Sequence, residues 1–252
     1  MGRRLPGRSS TSHGMSNDIR ITRRHALAGL VALLTTSASL ATEVAGIRLP
    51  QSPLARAAAE FSRAHCPDYL FNHCMRTFLF GAVALQKQKL AYDADKAFAA
   101  AALHDLGLLQ EFASPSASFE IDGANHAEQL MQKNGLSVRD AGIVWHAIVL
   151  HDMRFALTRR QGPEAMLVAI GAGSDVDGPD TTVIDAARTA EIVAAFPRLQ
   201  FKKQFTTLAI DHCKRKPLSQ RGTWLEGLCR EQVPSAWTET VEQEIATAPF
   251  AE

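Results

Sequence analysis

The sequence predicts an all-α protein built around one main domain. Apolar residues recur at helical spacing, as in Leu70, Phe71, Phe78 and Leu79 after Pro67. Proline and glycine divide the chain into segments of helical length, and we find no convincing run that alternates apolar and polar residues as a strand would. The chain has 252 residues, of which 46% are hydrophobic, and this is enough for one well-buried core.

The N-terminal 41 residues have the composition of an export signal. Arginines crowd the first 24 residues and end in the pair Arg23-Arg24, which resembles a twin-arginine signal. An apolar run from Ala26 to about Leu40 follows, with small residues near Ala41 where a signal peptidase would cut. We expect a twin-arginine-type signal peptide, the twin-arginine export machinery as a partner, and a periplasmic destination. An uncleaved membrane anchor is the alternative, although the run is shorter than the ~20 residues of a spanning helix.

The mature chain, residues 42–252, has no charge pattern typical of a nucleic-acid surface. Without the N-terminal arginines it is mildly acidic, so we expect no nucleic-acid partner. A homo-oligomer is compatible with the sequence. The four cysteines, Cys66, Cys74, Cys213 and Cys229, form no CxxC pair, and the sequence leaves open whether they are free thiols or disulfides.

Local signals set the expected boundaries of the helices around the site. We expect one helix to begin near Gly123, which would place Glu120 and Asp122 in a preceding loop, either over the site or in a solvated turn. The glycine-rich stretch 171–178 is expected to form a turn after a helix. The part after Pro217 is expected to be turn-rich with one short helix.

His104 and Asp105 are the strongest chemical signal. A carboxylate rarely lies in so apolar a stretch unless it is paired or holds a cation. Adjacent residues of a helix point about 100° apart, so these two can share a metal only where their helix meets its neighbours. His73, on the preceding long helix, is a suitable third ligand, and Asp175 or Asp177 is a candidate for the fourth.

Five short blocks, in order along residues 72–178, carry a resemblance to a known family. They are Asn72-His73-x-x-Arg76-Thr77-Phe78, His104-Asp105-Leu106-Gly107-Leu108, Phe119-Glu120-Ile121-Asp122-Gly123-Ala124, Val144-Trp145-His146-Ala147-Ile148-x-Leu150-His151 and Gly171-Ala172-Gly173-Ser174-Asp175-Val176-x-Gly178. Together they resemble the cyanamide-hydratase-like branch of the HD superfamily of metal-dependent hydrolases. The resemblance implies a single HD-type helical bundle with its core at about residues 68–196.

The resemblance also implies a ligand set for one divalent metal. By position in the blocks the ligands are His73, His104, Asp105 and Asp175, with Asp177 less favoured than Asp175 as the fourth. Two histidines and two carboxylates suit zinc, and also iron or manganese.

Four further residues bear on the substrate. The resemblance places His151 in the pocket, where it would handle the substrate or a proton. Arg76 lies three residues after His73, and it could neutralise an anionic substrate or pair with a surface acid. His146 and Asp152 depart from the family pattern, which has an acidic or similar polar residue at the first position and a small hydroxyl residue at the second. These departures leave the substrate less certain than the metal.

The expected function is activation of water on a small neutral molecule, with a nitrile such as cyanamide as a possible substrate. The alternative is an HD-type phosphohydrolase of a phosphate ester or nucleotide. Apart from histidines, Lys96 and Lys133 are the only basic residues between Leu90 and Arg139, which does not favour a phosphate pocket, although His146 and His151 could supply a second metal site. A second alternative is a non-catalytic exported binding protein, which would be favoured if His73, His104 and Asp105 did not converge in space.

Overall fold

A computed structural model of the protein describes residues 42–153 and 155–250. The described part is all-α, with eleven helices and one sheet of two short strands, which confirms the predicted class. The expected signal peptide, residues 1–41, lies outside the described residues. None of the described helices is both long enough and apolar enough to cross a membrane.

The elements follow one another with short connections. Strands β1 (Glu43–Val44) and β2 (Ile47–Arg48) pair antiparallel. The helices are α1 (Pro53–His65), α2 (Asp68–Gln88), α3 (Ala94–Leu103), α4 (Phe119–Lys133), α5 (Val138–Val149), α6 (Phe155–Gln161), α7 (Pro163–Asp177), α8 (Ala186–Ala195), α9 (Phe201–Arg215), α10 (Glu226–Gln232) and α11 (Val241–Ala246). Short 3-10 turns occupy Leu106–Leu108, Gln110–Phe112, Pro217–Gln220 and Pro234–Ala236.

Helix α2 is the central helix of the bundle. Every residue from Tyr69 to Leu85 is buried, so this helix is covered on all sides, as expected for a helix that is apolar all round. Helix α7 packs along it more extensively than any other described element, and α3 and α9 also contact it. The polar residues His73 and Arg76 are therefore held inside the protein, where each needs a partner.

Two glycines allow α2 and α7 to approach closely. A Cβ atom on Gly171 of α7 would collide with the carbonyl oxygen of Thr77, and one on Gly81 of α2 would collide with that of Leu167. The prediction of a turn over residues 171–178 was wrong, because α7 continues through this stretch to Asp177. Gly171 therefore serves helix contact, and Gly178, which has a positive φ, ends the helix.

The start of α4 also differs from the expected one. Helix α4 begins at Phe119, so Glu120 and Asp122 are buried in its first turn instead of lying in a loop. Negative side chains are favoured there by the helix dipole. Gly123 does not start the helix; it lies where α4 passes close to the backbone of His104. Helix α5 ends at Val149, which leaves His151 in the following turn.

A disulfide joins the two helices of the C-terminal part. Cys213 of α9 and Cys229 of α10 are bonded, whereas Cys66 and Cys74 are free and buried. This resolves the pairing that the sequence left open. The bond fixes α10, and the segment before it, to the bundle.

Replacement of Gly171 by alanine is expected to destabilise the fold. The added methyl group would force α2 and α7 apart, at a cost of about 1–3 kcal/mol typical of overpacking. Gly173 on the same helix is the matched control, because a Cβ there meets nothing within 4 Å and alanine favours a helix by up to about 1 kcal/mol. Urea unfolding measures both, and equal stability of Gly171→Ala and Gly173→Ala would contradict the packing argument.

Candidate metal centre

Three potential metal ligands converge inside the bundle. His73 comes from the middle of α2, and His104 and Asp105 follow directly after α3. All three are buried, and one nitrogen or oxygen atom from each lies within 4.8 Å of the other two. The two Nε2 atoms are 3.2 Å apart, and Oδ2 of Asp105 is 3.3 Å from each of them. The sequence predicted this trio.

The hydrogen bonds made by Nδ1 of His73 and of His104 determine the state of the Nε2 atoms that face the candidate metal centre. Nδ1 of His104 lies 2.9 Å from the carbonyl oxygen of Ala101, and Nδ1 of His73 lies 2.7 Å from Oδ2 of Asp175. Both partners only accept hydrogen bonds, so each Nδ1 carries the ring hydrogen of a neutral imidazole and donates it. Both Nε2 atoms therefore present a bare electron pair.

The three electron pairs fit a cation. Oδ2 of Asp105 is buried and meets no hydrogen-bond donor among the described residues. Three acceptors 3.2–3.3 Å apart repel each other unless a positive charge lies between them. Two imidazole nitrogens and a carboxylate oxygen are the donors preferred by zinc and are also accepted by iron and manganese.

Burial and neighbouring charges set the ionisation of the trio. Burial lowers the pKa of His104 to about 3, which keeps this ring neutral. Burial alone would raise the pKa of Asp105. The neighbouring His104 and His73 lower it by more than burial raises it, so the carboxylate is ionised. For His73, burial lowers the pKa, and the adjacent carboxylates of Asp105 and Asp175 together raise it more strongly. A proton therefore competes with a cation for this ring.

Asp175 lies on the far side of the His73 ring and not beside the three candidate metal-ligating atoms. The sequence predicted it as the fourth ligand, but its carboxylate contacts Nδ1 of His73, on the opposite side of the ring from Nε2. Arg76 donates to both of its oxygens, from Nε at 2.8 Å and Nη2 at 2.7 Å, and Nη1 of Arg198 donates at 2.6 Å. Burial opposes ionisation of Asp175, but His73 and Arg76 hold its pKa below the usual range. Its position matches that of a carboxylate that orients a metal-bound histidine.

Arg76 pairs with the buried Asp175 and not with an anionic substrate or a surface acid, the two partners that the sequence suggested. It is fully buried on α2, and besides Asp175 its guanidinium donates to the carbonyl oxygens of Phe196 and Pro197. It does not line the cavity beside the trio, so it does not meet a substrate there.

A cavity of about 240 Å³ opens beside the three donors. Most of its lining is apolar. The lining residues are His73, His104, Asp105, Phe119, His151, Asp152, Met153, Ala169, Ile170, Ala172, Gly173, Val176, Asp177, Phe205 and Trp224. The cavity provides a small, mostly apolar chamber at the candidate metal centre.

His151 lines this cavity and His146 does not. The ring of His151 lies edge-on to His104 at 4.8 Å between centroids, and its Nδ1 lies 2.6 Å from the carbonyl oxygen of Ile148. Nδ1 therefore carries the hydrogen, and Nε2 is left as an acceptor. His146 is exposed, with Nδ1 against the carbonyl oxygen of Gly142. Asp177, the alternative fourth ligand, lines the cavity but is exposed and is not part of the trio.

Sequence reasoning missed the C-terminal wall of the cavity. Phe201 and Phe205 of α9 pack against the ring of His73, at 4.7 and 5.6 Å between centroids. Trp224, from the segment between α9 and α10, completes the wall. The spacing of Phe201 and Phe205 predicts only a buried helix face, so no local pattern linked them to the site.

Comparison of the sequence with protein-family models and with curated proteins gave no match. The functional assignment therefore depends on the geometry of the site and on the motifs that form it.

Loss of two of the three donors is expected to abolish metal binding. The mature chain from residue 42, loaded with zinc and dialysed, should hold about one ion, and His104→Ala combined with Asp105→Ala should hold none. Elemental analysis measures both, with circular dichroism to confirm the fold. His146→Ala is the matched control, because this histidine is exposed and outside the cavity. A wild-type chain that folds but takes up no ion would contradict the site.

Asp175→Asn is expected to weaken metal binding without removing it. The amide oxygen can still accept from Nδ1 of His73, but it orients the ring less strongly, and such changes lower metal affinity by about 10–100-fold. Competition with a chromophoric chelator gives the affinity. Asp177→Asn should bind as tightly as the wild type. Complete loss of binding in Asp175→Asn, in a variant that still folds, would show that Asp175 is itself a ligand.

Proposed function

We propose that the protein is a metal-dependent hydratase or hydrolase of the HD superfamily, in its cyanamide-hydratase-like branch, that activates water on a small neutral substrate such as a nitrile. The observation that carries the proposal is the convergence of three bare electron pairs, from His73, His104 and Asp105, at the wall of an apolar cavity. The same convergence argues against the alternative of a non-catalytic binding protein. Asp175 and Arg76 are placed in this proposal as the residues that orient His73.

The chemistry divides between the ion and the side chains. His73, His104 and Asp105 would hold a divalent ion, which would lower the pKa of bound water from ~15.7 to about 7 and polarise an electrophile beside it. His151 faces the same cavity with Nε2 free to accept, so it can take the proton of the attacking water. Phe119 and Phe205 contribute apolar wall to the cavity, and exclusion of bulk water there would strengthen the electrostatic interactions inside it.

The size and charge of the cavity favour a small neutral substrate. Its volume, about 240 Å³, is below the ~300–1,000 Å³ of sites for larger ligands. Among the described residues that line it there is no lysine or arginine, and Asp152 and Asp177 add negative charge. A phosphate ester would need cationic partners, so the phosphohydrolase alternative is less well supported. Arg154 lies outside the described residues.

Two observations support an exported protein. Residues 1–41 have the composition of a twin-arginine-type signal, and export to the periplasm by the corresponding machinery would follow. The disulfide between Cys213 and Cys229 is stable in an oxidising compartment such as the periplasm. We propose periplasmic location on these grounds.

The metal-loaded mature chain is expected to hydrate cyanamide to urea, which a colorimetric urea assay measures. His151→Ala should lower kcat by about 10²–10⁴-fold, the usual contribution of a general base, with metal content unchanged. His146→Ala should keep the wild-type rate. Hydrolysis of p-nitrophenyl phosphate without any turnover of nitriles would instead favour the phosphohydrolase, and activity towards neither class would favour a binding protein.

A further inference from the structure

Two acidic side chains meet at the edge of the cavity. Glu120, in the first turn of α4, is 1% exposed, and Asp152 lies half-buried in the turn after α5 and lines the cavity. The two carboxyl groups are neighbours, since Asp152 lies close enough to Glu120 to raise the pKa of its carboxyl group. The mechanism proposed above uses neither of them.

Few hydrogen-bond donors reach this pair from the described residues. Three oxygen atoms of the pair have no hydrogen-bond partner within the described part of the chain. They are Oε1 and Oε2 of Glu120 and Oδ1 of Asp152. Oδ2 of Asp152 accepts from the backbone amide of Trp224 at 3.1 Å. The Ser118 hydroxyl lies close enough to favour the Glu120 carboxylate weakly. The nearby cation Lys216 is bound to Asp122 at 2.6 Å.

One shared proton resolves this arrangement. Two adjacent carboxylates cannot both ionise easily in a buried place, because their charges repel and are poorly solvated. Burial first, and Asp152 second, raise the pKa of Glu120 to about 9. A carboxylic acid on one residue then donates to a carboxylate on the other, which supplies a donor to a buried oxygen that has no hydrogen-bond partner within the described residues.

We propose that Glu120 and Asp152 hold one proton between them at neutral pH, and that Asp152 delivers it to the substrate atom that becomes basic during the addition of water. Asp152 is the donor because it lines the cavity, whereas Glu120 lies behind it. This inference rests on the proposed function, and it assigns the proton donor that the function requires.

The proton balance for a nitrile is complete with the residues present. Water gives one proton to Nε2 of His151 while its oxygen forms a bond to the nitrile carbon. One π bond of the nitrile breaks, and its electron pair takes the proton from Asp152 onto nitrogen. The proton on His151, the neighbour of Asp152 in the chain, then restores the pair. The product is an imidic acid that tautomerises to the amide.

The shared proton also restricts the substrate. A pair with one proton keeps one negative charge at the cavity edge, so an anionic substrate is repelled there. The favoured substrate is neutral and carries a nitrogen or oxygen atom that gains basicity as water adds. Nitriles meet both conditions.

Infrared spectroscopy tests the shared proton directly. At neutral pH the wild type should show the C=O absorption of a protonated carboxyl group in a difference spectrum against Glu120→Gln. Glu128→Gln, on the same helix and outside the cavity, is the matched control and should keep this absorption. A wild-type spectrum without a protonated carboxyl group would overturn the proposal, whatever the activity of the protein.

Turnover tests the delivery of the proton. With cyanamide as the probe, Asp152→Asn and Glu120→Gln should each lower kcat by about 10²–10⁴-fold at unchanged zinc content, while Glu128→Gln keeps the wild-type rate. An Asp152→Asn variant with the wild-type kcat would overturn the donor role. If the zinc-loaded wild type did not turn over cyanamide or other nitriles, the donor role would fall together with the proposed function, and the infrared result alone would decide whether the pair shares a proton.

Discussion

The buried ion pair between Arg76 and Asp175 is the interaction on which the candidate metal centre depends. Arg76 donates to both oxygens of Asp175, and it joins α2 to the end of α7 inside the core. Asp175 in turn holds Nδ1 of His73, which points Nε2 at His104. Breaking a buried pair of this kind leaves an uncompensated charge and typically costs about 3–5 kcal/mol. Structural stability and ligand orientation thus rely on the same contacts.

Residues close together in sequence made part of this site predictable. His104 and Asp105 are adjacent and lie at the end of an apolar stretch, so their burial, and the need of Asp105 for a polar partner or a cation, could be deduced from the pattern alone. The all-α class followed from periodicity. The role of Asp175 could not be deduced, because its contacts with Arg76 and Arg198 decide which side of His73 it occupies. The glycines of residues 171–178 fit a turn equally well until the contact of α7 with α2 is known.

Contacts between distant parts of the chain account for what the sequence did not reveal. Asp152 is a neighbour of Glu120, 32 residues before it in the sequence, and accepts a hydrogen bond from the amide of Trp224, 72 residues after it. Neither contact leaves a periodic or motif-like trace, because a cavity wall needs only suitable shape and polarity from each segment. At the sequence level, Asp152 was notable only as a departure from the pattern that the motifs resemble. Its physical meaning came from the neighbouring carboxyl group.

The cavity takes its ligands and its wall from different parts of the chain. The three donors lie within residues 73–105, whereas Phe205 and Trp224 come from the C-terminal part that the Cys213–Cys229 bond holds in place. Substitutions in the tail can therefore reshape the chamber while the ion-binding residues stay the same. The cavity wall and the candidate metal ligands can vary independently in this architecture, because different segments of the chain supply them.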